Sequence, residues 1–227
     1  MATAALSATI TGTSAAETLY GDPGSVTQSD NISGLAGNDT LIGLNMADVL
    51  IGGTGDDVLY GGYDNDTLQG DAGNDTLYGE QDNDTLYGND GNDMLYGQQS
   101  NDTLVGGYGQ DTLMGDDPYS MGAADTFVFT TLQSGIYDLV ADFGKDGVTD
   151  LFNFDRAVFT SLPAGTIPAA NYVAGAAPLD NNDYIAYDRT TGQVRYAPSG
   201  NAGAVYVIAV VSTTYAGNVS RSSFIGL

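Results

Sequence analysis

A nine-residue period runs from Gly34 to Met114 and constrains this chain more tightly than any other feature of it. One unit reads Gly34-Leu-Ala-Gly-Asn-Asp-Thr-Leu-Ile42 and another Gly70-Asp-Ala-Gly-Asn-Asp-Thr-Leu-Tyr78. The first position is glycine in all nine units: Gly34, Gly43, Gly52, Gly61, Gly70, Gly79, Gly88, Gly97 and Gly106. The sixth is aspartate throughout: Asp39, Asp48, Asp57, Asp66, Asp75, Asp84, Asp93, Asp102 and Asp111. The eighth is leucine, from Leu41 to Leu113. Three columns held in register through nine units exclude chance. Outside this stretch the pattern degrades, as terminal units of repeat arrays do. Asp30 and Ile32 keep the register in a unit from Ser25 to Ser33. Gly12 to Tyr20 carries Glu17-Thr-Leu19 but is offset by a four-residue insertion. Asp125-Thr-Phe127 resumes the pattern after an insertion around Asp116-Asp-Pro118.

The spacing dictates a local structure. Six residues rich in Gly, Asn and Asp make a turn, because Gly and Asn tolerate positive φ. The other three, such as Thr76-Leu77-Tyr78, form a minimal strand whose middle side chain points inward and whose neighbours point out. Two units then close one coil of 18 residues with a turn at each side. Successive coils stack by parallel pairing about 4.8 Å apart, giving on the order of 20 Å of all-β roll.

Stacking also sets charge upon charge. The sixth-position carboxylates fall into two columns, Asp39, Asp57, Asp75, Asp93 and Asp111 on one side and Asp30, Asp48, Asp66, Asp84 and Asp102 on the other. Like charges about 5 Å apart repel by roughly 1 kcal/mol in water and by several times that near a protein surface. A leucine column one side chain deep buries little area to offset this repulsion. The whole chain carries 29 acidic residues against five basic ones, a formal charge of -24. This surface repels nucleic acid and anionic membranes. It suits a hard, oxygen-seeking cation, and Ca²⁺ takes the six to eight oxygens that carboxylates and turn carbonyls together supply. Folding and ion binding are then expected to be one event.

The unit resembles the calcium-binding nonapeptide of repeat-in-toxin, or haemolysin-type, proteins, closely over residues 34–114 and loosely over 12–33 and 115–129. The resemblance implies a right-handed parallel β-roll. It also implies calcium ions held by the sixth-position aspartates and by carbonyls of positions one to four. On this chain those ligands are the nine repeat aspartates with Asp30 and Asp125 at the ends. The carbonyls are those of Gly37, Gly55, Gly73, Gly91 and Gly109 and of Gly52, Gly70 and Gly88. The fourth position departs from uniformity: those five glycines alternate with Met46, Asp64, Asp82 and Ser100. The true period is therefore 18, and the two ion columns are chemically different. Asp64 and Asp82 are expected to tolerate the unusual backbone or add a ligand, and Met46 to do neither well.

The period gives a three-part organisation: an N-terminal cap with degraded repeats at 1–33, the calcium roll at 34–129 and a β-rich capping and secretion region at 130–227. In the last part, Ile136-Tyr-Asp138-Leu-Val-Ala-Asp142-Phe143 with Asp150-Leu151 is similar to the acidic segment that closes the roll in secreted repeat-in-toxin proteins. Gly144-Lys145-Asp146-Gly147 differs in spacing from that pattern. Tyr187 to Tyr196 predicts two strands around a turn at Thr191-Gly192, resembling the C-terminal hairpin of serralysin-like proteins. Val205 to Val211 is continuously apolar, as a buried strand is. The tail Ser223-Phe-Ile-Gly-Leu227 is similar to the hydrophobic end of type I secretion signals, although it lacks the acidic residue that often precedes that end.

Function is bounded mainly by exclusion. With no Cys and no His, there is no disulfide, no Cys/His zinc site and no histidine-based catalysis. The start of the chain does not read as a secretory signal peptide, and no segment approaches the roughly 18 apolar residues of a membrane span. No HExxH, Gly-x-Ser-x-Gly or phosphate loop occurs. The expectation is a non-enzymatic calcium protein, exported by type I machinery without an N-terminal signal to the cell surface or medium. There it acts as a structural component that forms homo-oligomers or polymers, with no nucleic acid and no membrane insertion. The alternatives are a calcium-responsive adhesive module and a non-catalytic relative of repeat-in-toxin exoenzymes. Ice binding is disfavoured because the third position, Ala36, Asn45, Thr54, Tyr63 and onward, makes no regular array. The ninth position on one face, Ile42, Tyr60, Tyr78, Tyr96 and Met114, predicts an outward aromatic ladder, a contact surface unless the C-terminal region covers it.

Overall fold

The computed structural model describes residues 9–21, 28–117, 122–132, 136–143, 150–155, 157, 165–166, 172–174, 185–188, 191–196, 206–211 and 224–226. Every regular element among them is a strand. The first coils comprise β1 (Thr9–Thr11), β2 (Thr18–Tyr20), β3 (Asn31–Ala36), β4 (Thr40–Leu44), β5 (Val49–Thr54) and β6 (Val58–Gly62). The next six are β7 (Thr67–Ala72), β8 (Thr76–Glu80), β9 (Thr85–Asp90), β10 (Met94–Gln98), β11 (Thr103–Tyr108) and β12 (Thr112–Asp116). Beyond the period come β13 (Thr126–Phe129), β14 (Asp138–Val140), β15 (Leu151–Phe154), β16 (Gly165–Thr166) and β17 (Tyr172–Ala174). The chain closes with β18 (Ile185–Asp188), β19 (Gln193–Tyr196), β20 (Tyr206–Val211) and β21 (Phe224–Gly226).

These strands form a parallel β-roll. Odd-numbered strands β1 to β15 stack in order in one sheet and even-numbered β2 to β14 in the other, so β1 to β12 make six coils. Register follows the 18-residue coil: Leu50 pairs with Leu68 and Leu59 with Leu77. Ile32 and all nine repeat leucines are fully buried, making a single inward column from each sheet. Past the repeats the core widens into an aromatic cluster in which Phe143 stacks on Phe152 at 4.3 Å and Phe127 and Phe129 tilt against Phe152.

The repeat strands are longer than the three-residue minimum expected. They run five or six residues, continuing through the buried first-position glycine to the second position, where Gly62 still pairs with Glu80. The second position is left-handed in every unit, including Leu35 (φ 74), Leu44 (φ 86), Glu80 (φ 79) and Gln98 (φ 81). The chain therefore reverses direction over fewer residues than composition suggests, by paired excursions into positive φ at positions two and four.

Both sheets cross the expected boundaries at 33/34 and 129/130 without a break. β3 spans the first, and β13 pairs β15 across the second. The hairpin forms as expected, β18 pairing antiparallel with β19 and Gly192 at φ 74 in its turn. β20 carries the buried Ile208, Ala209 and Val211 and pairs with both β14 and β19. The C-terminal tail is a strand as well: β21 lies between β15 and β16. The stretch Gly144 to Gly147 lies outside the described residues. The outward ladder is present, with Tyr60, Tyr78 and Tyr96 stacked at 5.0 Å and nearly parallel. The described C-terminal strands β17 to β20 extend this sheet beyond β14, end to end with the tyrosine column rather than across it.

Candidate metal centres

Each sixth-position aspartate sits one residue before a strand, where the coil turns, and its two carboxylate oxygens are treated differently. Oδ1 accepts the backbone N–H of the equivalent residue one coil earlier, at 2.6–2.9 Å throughout. The bond from Asp57 N to Asp75 Oδ1 is typical at 2.8 Å. The structure thus brings all the expected carboxylates into two ladders, Asp39-57-75-93-111 and Asp30-48-66-84-102-125. In ten of these residues, the nine repeat aspartates and Asp125, Oδ2 is buried with no hydrogen bond.

The first-position glycine explains where that oxygen points. A Cβ built on Gly34 would collide with Asp39 Oδ2 and lie 2.6 Å from the carbonyl oxygen of Gly52 in the next coil. The same holds at Gly52 against Asp57 and Gly70, and at Gly88 against Asp93 and Gly106. A carboxylate oxygen and a carbonyl oxygen from the following coil therefore converge beside the Cα of Gly34, Gly43, Gly52, Gly61, Gly79 and Gly88, and no N–H is supplied to the Oδ2 atoms there. Such a set, all acceptors, carries negative charge and fits a hard cation; it does not fit a neutral ligand. Among the described residues no three acidic side chains converge as a metal-binding group. A cation here would draw on carboxylates from adjacent rungs together with main-chain carbonyls such as those of Gly52 and Gly70.

Electrostatics agree. Burial pushes these carboxyls up, against the lowering effect of the ladder hydrogen bond and with help from neighbouring carboxylates. Asp48, Asp57 and Asp75 rise to about 6, Asp84 and Asp93 to about 7, Asp66 and Asp125 to about 8 and Asp102 to about 9. Without a cation the columns favour protons; a divalent ion removes that penalty and holds them ionised.

The alternation at position four is a difference in backbone. Gly37, Gly55, Gly73, Gly91 and Gly109 adopt φ from 111° to 152°, whereas Met46, Asp64, Asp82 and Ser100 all adopt φ from 70° to 76°. Met46 takes the same conformation as its column neighbours, φ near 75° being the left-handed well that an L-residue reaches at a cost of about 1–2 kcal/mol. The glycine column uses a wider φ reserved for glycine. There, a Cβ on Gly55, Gly73, Gly91 or Gly109 would overlap the fourth-position carbonyl oxygen of the preceding coil. The fourth-position carbonyls of this column point into the gap between coils, the direction required of a ligand set.

Further contributors go beyond the site residues read from the sequence. Glu17 is the first rung of the Asp39 column: its N–H donates to Asp39 Oδ1 at 2.7 Å, while its own carboxylate accepts Thr13 N–H and Oγ1–H at 2.8 Å each. The five-residue spacing from Gly12 to Glu17, equal to that from Gly34 to Asp39, is the signal for it. Gly21 and Gly115 occupy first positions for Asp30 and Asp125, across insertions that hide the spacing. Fifth-position amides form a further ladder of opposite polarity, Asn83 N to Asn65 Oδ1 and Asn101 N to Asn83 Oδ1 at 3.0 Å each.

Comparison with protein families matches the RTX calcium-binding nonapeptide repeat (4 copies) over residues 11–59, 42–77, 60–95 and 87–117. Comparison with curated proteins gives no match. The two carboxylate ladders, the glycine-lined gaps between coils and this match agree on one conclusion: residues 11–117 belong to the family of RTX calcium-binding nonapeptide repeats.

Proposed function

We propose that this protein is exported in an ion-free state, folds as it takes up Ca²⁺ outside the cell, and serves there as a non-enzymatic structural subunit of a surface layer or filament. The observation that carries the calcium-coupled part is the set of ten buried Oδ2 atoms without a hydrogen-bond partner. Each costs the ion-free fold a desolvated charge, and millimolar extracellular calcium is the condition in which weak sites of this type fill.

Two features support self-association. Tyr60, Tyr78 and Tyr96 present a stacked aromatic column on the outer face of one sheet. Among the described strands β1 and β2 stand at the N-terminal edges of their sheets, and Ile10 and Leu19 beneath them are only partly buried. An in-register strand edge is a template for adding another coil. Electron microscopy of the purified protein with and without Ca²⁺ tests the structural role. Ordered filaments or sheets formed only with calcium are expected, and dispersed particles in both conditions would contradict it.

The adhesive reading is favoured instead by the exposed tyrosines Tyr63 (53%) and Tyr108 (60%). It predicts calcium-loaded monomers that bind a surface other than their own. Export by type I machinery is supported by the apolar tail at β21, and it is tested by truncation after Val205. Retention of the truncated chain inside the cell is expected; undiminished export would exclude this route.

A further inference from the structure

Both carboxylate columns continue past the last residue of the matched repeats. Asp111 N–H donates to Asp138 Oδ1 at 3.1 Å, and Asp125 N–H donates to Asp150 Oδ1 at 3.0 Å. These bonds repeat the rung-to-rung bond of the regular coils, although their sequence separations are 27 and 25 instead of 18. Strand pairing shows the same equivalence. Thr112 pairs with Leu139 and Thr126 with Leu151, so Asp138 and Asp150 each stand one residue before the paired position, as Asp111 and Asp125 do. Both are buried, Asp138 to 9% and Asp150 to 1% exposure.

The oxygens that face these two rungs are unsatisfied. Asp111 and Asp125 are 0% and 1% exposed, and the Oδ2 of each has no hydrogen-bond partner. Beside Gly34, Gly52 and Gly88 this oxygen lies next to a carbonyl of the following coil, and the Oδ2 of Asp111 and of Asp125 takes the same place beside Gly106 and Gly115. Carboxylates on successive rungs repel, and a cation between them removes that repulsion. Asp142, nearby and equally acidic, is differently engaged: its two oxygens accept Gly115 N–H at 3.1 Å and Asp116 N–H at 2.7 Å, which makes it a brace for the chain.

We propose that Asp111 with Asp138, and Asp125 with Asp150, each hold one further Ca²⁺, extending both columns beyond the repeats and fastening β14 and β15 to the roll. The inference rests on the reading of the regular rungs as calcium sites. Its chemistry is the same, oxygen donors only, with the second carboxylate supplied by a segment that has no nonapeptide register.

The test is bound calcium per chain, measured on the full-length protein by equilibrium dialysis against ⁴⁵Ca²⁺. The variants are Asp138→Asn and Asp150→Asn, which keep the Oδ1 acceptor and remove the charge. Each is expected to lose one ion, and the double variant two, with the calcium-loaded circular dichroism of the roll retained. Asp142→Asn is expected to lose none. Unchanged stoichiometry in folded Asp138→Asn and Asp150→Asn overturns the proposal while leaving the repeat sites intact; wild-type protein that binds no calcium overturns both. Should the variants fail to fold, hydrogen exchange of the wild-type chain decides the matter. Calcium is expected to slow exchange in β14 and β15, and exchange there that is indifferent to calcium contradicts the added sites.

Discussion

Replacing Gly73 by alanine isolates the difference between the two turn columns. Gly73 has φ 148°, and a Cβ there would overlap the Gly55 carbonyl oxygen, meet the Gly55 carbonyl carbon at 2.5 Å and approach Asp56 N at 3.2 Å. Those are backbone atoms of the preceding coil. They cannot retreat without straining the bond from Gly55 N–H to Ala72 O, 2.8 Å long. The positive-φ backbone costs about 1–2 kcal/mol, and a weakened backbone hydrogen bond adds about 0.5–1.5 kcal/mol. Gly73→Ala is therefore expected to destabilise the calcium-loaded roll by about 3 kcal/mol. Ser100 occupies the equivalent place in the other column at φ 76° and already carries a Cβ. Ser100→Ala is expected to cost less than about 0.5 kcal/mol, as ordinary surface substitutions do, and Ser100→Gly to stabilise by up to about 1 kcal/mol by relieving the left-handed strain. Urea unfolding at saturating Ca²⁺, followed by far-ultraviolet circular dichroism, gives all three values. Equal effects of Gly73→Ala and Ser100→Ala would show that the two columns do not differ in the way their φ values indicate.

Other outcomes follow from the same geometry. Leu77→Ala, at a fully buried position between Leu59 and Leu95, is expected to cost about 2–5 kcal/mol in the same assay, with a loss below 1 kcal/mol contradicting the single-column core. The raised aspartates set a pH dependence for the ion-free chain. Their pKa values in the roll, about 6 to about 9, exceed the ordinary 3.8, so the roll binds protons that the unfolded chain releases. Its stability in chelator is highest near pH 4 and falls as pH rises through 6 to 9; a chelated sample that gains β signal on going from pH 5 to pH 8 would reverse this sign. Met46→Gly, relieving φ 75°, is expected to lower the calcium concentration for half-folding, and a raised midpoint would show that the methionine side chain supports its turn.

What could be read from the chain was whatever the coil repeats in sequence. The Asp39 to Asp111 and Asp48 to Asp102 columns, the leucine core and the outward tyrosines all follow from an unbroken period, and even the degraded Asp30 and Asp125 rungs hold their places. What could not be read depends on closure in space. Gly21 and Gly115 serve Asp30 and Asp125 at wider sequence separations than the five residues of the regular units, so the rung survives while the spacing does not. Asp138 and Asp150 likewise rejoin the columns at separations of 27 and 25. Met46 illustrates a different limit. Its residue type marks a costly positive φ, but not that its column settles near 75° while the opposite column takes wider φ values confined to glycine. Strand length escaped too, because continued pairing through a second position at positive φ has no residue signature when Leu, Glu, Gln and Gly all occupy it.

The coupling of folding to calcium is tested most directly by circular dichroism of the full-length protein during a Ca²⁺ titration from excess chelator. The carboxylate columns predict a chain without β structure in chelator at pH 7.5. A cooperative gain of β signal is expected as Ca²⁺ reaches the millimolar range, with Mg²⁺ a poor substitute because it demands tighter octahedral geometry. A β spectrum already complete in chelator, and unchanged by calcium, would contradict it.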